Sequence, residues 1–109
     1  LWFGWSDDNR GFGNIVMATK GGTRIIGQSY TTNVAVGYNT LWGGTPSLTG
    51  GNDIVADPRF VAPGTDPNTV DFALQAGSPA IGRVHPNVRA ALDLYRRSKA
   101  TPDGGAIWR

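Results

Sequence analysis

The apolar runs of this chain are too short for anything but brief strands. In "DIVADPRFVAPGTDPNTVDFALQAGSPAIG", residues 53–82, the pieces Ile54-Val55, Phe60-Val61, Phe72 to Leu74 and Ala80-Ile81 are each cut off within a few residues by Pro, Gly or Asp. Proline brings no N–H to a ladder, and Gly and Asp favour turns. Neither a helix nor an ordinary hairpin is expected there. The first two thirds are punctuated in the same way. Strands are expected at Leu1–Trp5, Asn14–Ala18, Thr23–Ile26, Asn33–Val36, Asn39–Trp42 and Asp53–Val55, about ten residues apart, with turns at "DDNRGFG", "KGG", "GQSYTT" and "GGTPSLTGG". Short strands at regular spacing point to a sandwich, a barrel or a solenoid.

One helix is expected, over "HPNVRAALDLYRR". Pro86 suits the first helical position. Val88, Leu92 and Tyr95 fall on one face, and Arg96 and Arg97 stand where the helix dipole favours cations. "TTNVAVGYNTLWGG" places Asn33 and Asn39 in similar surroundings. Each serves either as a plain turn residue or as one rung of a stack that hydrogen-bonds the next coil.

Composition narrows the functional classes. Gly and Pro together are 23 of 109 residues and 39% of the chain is apolar, so it is turn-rich yet able to fold as a single domain. Without Cys there is no disulfide, thiolate metal site or Cys nucleophile. The net charge is only +2, and the basic residues are scattered apart from Arg96, Arg97 and Lys99, so no nucleic acid is expected as partner. No apolar run approaches the roughly 20 residues of a membrane span, and no signal peptide is evident. The chain opens on "LWFGW", large apolar groups that need a cover, which reads as a piece of something longer.

The order "YNTLWGG", "NDIVADPRFV", "DFALQAGSPAIG" and "DLYRRSKATPDGGAIWR" resembles the closing section of right-handed parallel β-helix proteins, the pectate-lyase-like solenoids of secreted bacterial carbohydrate-active proteins. Tyr38-Asn39, Asp57 to Val61 and Asp71 to Ile81 carry the match. Asp93, Pro102, Gly104, Gly105 and Ile107 follow the family's last element loosely, with Arg96 in place of its usual Gly. The resemblance implies an all-β fold: terminal right-handed parallel β-helix (solenoid) coils over residues 1–56, closed by a C-terminal cap over 57–109. Pro58, Pro63, Pro67 and Pro79 would fix the exits from the stack. Asp57 and Asp71 would make Asx turns, and Phe60, Val61, Phe72, Leu74 and Ile81 would fold over the end of the bore.

The resemblance further implies a polysaccharide partner and a lyase or glycoside hydrolase in a secreted or periplasmic bacterial setting, with most catalytic residues outside this chain. Upstream coils or a second copy would cover the open end. A non-catalytic polysaccharide-binding or structural module is the alternative. Asp7, Asp8 and Arg10 form the best catalytic-looking cluster, since adjacent carboxylates bind Ca²⁺ or shift each other's pKa, and an Arg neutralises a uronate. Asp7 and Asp8 are accordingly the candidate Ca²⁺ ligands. Against this, neighbours on a strand point opposite ways, and "DDNRG" is a good turn. Trp5, Tyr38 and Trp42 are the candidate sugar-stacking residues, with core or lateral packing as the competing account. Trp2 is a lesser candidate. Asp53 and Asp57 read as structural, as does His85 beside Pro86. Ser78 lacks a nucleophile-elbow setting, and "GFGNIV" holds only the first two glycines of a dinucleotide fingerprint.

Overall fold

The computed structural model describes residues 1–5, 7–19, 24–47, 49–87, 95–97, 101–105 and 107. Ten short strands make up the regular structure: β1 (Trp2–Gly4), β2 (Arg10–Phe12), β3 (Ile15–Met17), β4 (Arg24–Ser29), β5 (Ala35–Gly37), β6 (Thr40–Trp42), β7 (Thr45–Pro46), β8 (Ile54–Val55), β9 (Phe60–Ala62) and β10 (Asp71–Leu74). The fold is all-β. The expected helix falls largely on residues outside those described, and among the described residues there is none.

The sheets are small, in the orders β1-β4-β7, β2-β5, β3-β6-β8 and β10-β9, so a closed solenoid wall is not what they amount to. The first three are parallel throughout. Trp2 faces Gly27, Arg10 faces Ala35 and Ile15 faces Thr40, an offset of 25 residues in all three sheets. Parallel neighbours need a long connection, and here each connection is made of strands belonging to the other sheets. The offset then contracts: Thr40 faces Ile54, Gly37 bridges Gly51 and Arg24 faces Thr45.

Strands β4, β5 and β6 supply the core. Ile26, Val36 and Leu41, from β4, β5 and β6, are buried together with Ile25, and Phe3, Val16, Ala18 and Val34 pack against them. Leu41 and Ile26 are completely covered. Burying each such side chain contributes about 1.5–3 kcal/mol relative to exposure. Chain direction between strands changes at corners in left-handed backbone, and these corners recur at the same offset. Trp5 and Tyr30 have φ of 59° and 50°, Asp8 and Asn33 of 60° and 52°, and Gly13 and Tyr38 of 69° and 58°.

Two strands were hidden in turns. β2 lies within "DDNRGFG" and β7 within "GGTPSLTGG", both too poor in β-branched residues to register as strands. The tail also departs from expectation. β9 and β10 pair antiparallel, Asp71 with Ala62 and Leu74 with Phe60, with a register shift between. The intervening Pro63–Val70 loop is bent by an Asx turn at Asp66, whose carboxylate accepts from the Asn68 N–H at 2.9 Å. The expected turns at Asp57 and Asp71 are present, each accepting from the N–H two residues on, at 2.8 Å. The tail is anchored at the corners that join β2 to β3, β5 to β6 and lead into β8: the Gly105 N–H donates to the Gly13 carbonyl at 2.9 Å, Arg83 donates to the Asn52 carbonyl, and the His85 ring packs on Phe12 and Tyr38. Val61 and Phe72 remain substantially exposed, whereas Leu74 and Ala80 are buried.

Candidate functional site

The corner between β1 and β2 holds the catalytic and metal candidates, and the next corner, between β4 and β5, answers it residue for residue. The Asp7 Oδ1 accepts from the Thr32 N–H at 3.0 Å and from its hydroxyl at 2.9 Å. The Asp8 Oδ1 accepts from the Asn33 amide at 2.5 Å, and the Asn9 amide donates to the Thr31 hydroxyl at 3.3 Å. Both carboxylates are therefore engaged in holding one corner on the next. Arg10 opens β2, where its backbone pairs with Ala35. Among the described residues no group of three or more His, Asp or Glu is placed to hold a metal ion. The structure brings Asp7 and Asp8 together with Thr32 and Asn33, not with a further acid.

The Thr32 backbone N–H, then its hydroxyl, holds the Asp7 carboxyl below its usual range. A carboxyl whose folded pKa is depressed adds stability that is present above its unfolded value, about 3.9, and is lost as pH falls through the lower folded value. Asp7 is exposed, so solvent screens the effect. Denaturant midpoints measured from pH 7 to pH 2 should accordingly show a constant gap between the wild-type chain and Asp7→Asn above about pH 4. That gap should narrow on further acidification; a gap that widens there is incompatible with this role.

The aromatic candidates separate. Trp5 is 81% exposed and stacks on Tyr30, itself 76% exposed, with ring centroids 4.4 Å apart and planes 18° from parallel. Tyr38 packs edge-on to His85 at 5.2 Å, which makes it a packing residue between β5 and β6. Trp42 ends β6, in a different sheet, and is 41% exposed. Trp2 lies across Gly27 of β4, where an added Cβ would collide with its ring, and its indole N–H donates to the Ser29 hydroxyl at 3.0 Å.

The Trp5–Tyr30 pair is costly for the fold. Left-handed backbone at a bulky residue costs about 1–2 kcal/mol, and an aromatic pair returns about 0.5–1.5 kcal/mol beyond its burial. With both rings mostly in solvent, burial does not make up the difference. Tyr30 escaped the reading of the sequence. Its signal was the 25-residue spacing from Trp5, the same that separates Asp7 from Thr32 and Asn14 from Asn39.

The buried polar centre lies at the third corner. The Asn39 Oδ1 accepts from the Asn14 N–H at 2.9 Å and the Asn14 amide at 3.1 Å. The Asn39 amide donates to the Gly11 carbonyl and to the Asp53 Oδ1, both at 3.0 Å, and Asp53 also accepts from the Asn39 N–H at 2.9 Å. Asn39 is fully buried. Of the two asparagines singled out in the sequence, Asn39 forms a stack, with Asn14 and Asp53, while Asn33 serves the Asp8 corner. Asp53 is structural, as expected. Ser78 is structural as well, its hydroxyl donating to the Pro58 carbonyl at 2.6 Å and accepting from the Ala80 N–H at 3.1 Å. His85 accepts the Asn87 N–H on Nδ1 at 3.1 Å.

A cavity of about 530 Å³ lies between Ile15 and Met17 of β3 and the tail residues Phe60, Phe72, Gly104 and Ile107. Its lining is apolar, and Phe60 and Phe72 meet edge-to-face at 5.3 Å. It offers no acid, base or nucleophile.

No helix among the described residues is long and apolar enough to cross a membrane. No protein-family model, curated protein or solved structure matches the chain.

Proposed function

We propose that the chain is the closing section of a right-handed parallel β-helix protein that acts on polysaccharide, with residues 1–56 as terminal coils and 57–109 as the closing segment. The observation that carries this reading is the shared 25-residue offset of three parallel sheets. One lap of chain visiting three walls in turn accounts for all three offsets at once. The left-handed corners and the Asn14–Asn39 pair, matched at the same 25-residue spacing, support it, and Asp53 extends the stack at the shorter β6–β8 offset.

On this reading β1, β2 and β3 are the outermost strands at one end, and a further lap, from preceding chain or a second copy, is their natural cover. The section contributes stability and sugar contacts. Cleavage, by a lyase or glycoside hydrolase mechanism in a secreted or periplasmic setting, belongs to coils outside it. The engagement of Asp7 and Asp8 with the next corner favours this division over catalysis within the section.

Two assays test the proposal together: ultraviolet detection of unsaturated uronate from pectin and alginate with Ca²⁺, and sedimentation with insoluble polysaccharide. The expected result is retention on at least one polysaccharide, weakened in Trp5→Ala or Trp42→Ala, with no product released. Product formation by this chain would place catalysis within it. Failure to bind any polysaccharide would remove the sugar from the proposal.

A further inference from the structure

We propose that the Trp5–Tyr30 stack is a subsite for an uncharged sugar ring of a polysaccharide, kept selective against uronates by Asp7 and Asp8 on the same corner. The inference rests on the polysaccharide reading above and narrows it to one site and one class of sugar.

Three observations converge. The two rings are the most exposed large apolar side chains described, 81% and 76%, and each is held in left-handed backbone at the same point of successive corners. Their mutual stack, 4.4 Å between centroids and 18° between planes, fixes both orientations before any ligand arrives. A preorganised aromatic surface loses little rotational freedom on binding, and the C–H faces of a pyranose suit its negative π cloud.

The third observation is charge. Asp7 and Asp8 follow Trp5 by two and three residues, while Thr32 and Asn33, which bind them, follow Tyr30 by the same steps. The carboxylates are thus fastened on the same two corners that carry the stack, two and three residues further along the chain. Arg10 supplies one positive charge at the start of β2, against two negative ones on the corner itself. A carboxylate-bearing sugar brought to this corner meets like charge, whereas a neutral ring does not. The corner therefore selects by repulsion as well as by contact.

Affinity electrophoresis through gels containing hydroxyethylcellulose, galactomannan or polygalacturonate provides the test, with thermal melts confirming that each variant folds. At least one neutral polymer is expected to retard the wild-type chain, and polygalacturonate without Ca²⁺ is not. Trp5→Ala and Tyr30→Ala should each weaken retardation tenfold or more. Tyr30→Phe, which keeps the ring, should preserve it. Replacing Asp7 and Asp8 together by Asn should bring polygalacturonate binding up towards that of the neutral polymers.

Retardation unchanged in both alanine variants overturns the subsite, as does a wild-type preference for polygalacturonate. If binding disappears only in Trp42→Ala, the subsite is wrong while the polysaccharide reading stands. If no polymer retards the chain, both fall.

Discussion

Asn39→Ala is expected to destabilise the chain by about 4 kcal/mol, since it leaves the Asn14 N–H without its acceptor, at about 1–3 kcal/mol, and takes one hydrogen bond from the Asp53 carboxylate, at about 1.5–3 kcal/mol. The Asn14 N–H loses its acceptor and the Gly11 carbonyl keeps its ladder bond within β2-β5 but loses its side-chain donor, while Asp53 keeps the backbone N–H of residue 39 and its bond to Gly50. Against a domain stability of about 5–15 kcal/mol this is a large fraction. It corresponds to a fall in melting midpoint of about 20 °C at this chain length. Asn33→Ala is the control. Asn33 is exposed at φ 52° and gives one described side-chain bond, to Asp8. Its replacement should cost about 1–2 kcal/mol, mainly for left-handed backbone. Equal losses in the two variants, measured by urea unfolding, would remove the distinction between a buried stack and an exposed corner.

Gly43→Ala should be nearly as damaging. Gly43 has φ +80°, and a methyl group there would run into the Ala18 carbonyl oxygen. Ala18 cannot move aside easily, because its own N–H donates to the Trp42 carbonyl at 2.9 Å. Strained backbone and a backbone collision together should cost about 3 kcal/mol or more. Gly64→Ala offers the contrast, since an added Cβ there meets nothing within 4 Å. It should be neutral or slightly stabilising, by up to about 1 kcal/mol, through a less flexible unfolded chain. A tolerated Gly43→Ala would mean that the close approach of β3 and β6 at this point is not required.

The strands rich in apolar and β-branched residues could be read directly from the sequence. "NIVMA", "NVAV" and "NTLW" became β3, β5 and β6 with boundaries moved by a residue or two. β2 and β7 could not be, because Arg10-Gly11 and Thr45-Pro46 owe their extended form to the strands they pair with. Their intrinsic preference would leave them as turns. The hairpin of β9 and β10 was obscured by Pro63 and Pro67, which lie in its loop, not in its ladder. Trp5 stood out as a candidate stacking aromatic, but its partner Tyr30 was missed, as were the bonds that occupy Asp7 and Asp8. Each of these pairings joins residues 25 apart whose identities differ. A search for repeated letters overlooks a repeat carried by backbone conformation: Trp answers Tyr, Asp answers Asn, and Gly answers Tyr at φ values within about twenty degrees.

That conformational repeat bears on how such a chain can change length. Where one spacing governs three sheets simultaneously, a duplicated stretch of 25 residues keeps each strand opposite its proper neighbour. A shorter or longer insertion must be absorbed as a bulge at a corner, or it turns apolar side chains out to water. Growth in steps of 25 residues is therefore the change of length that these three sheets tolerate best.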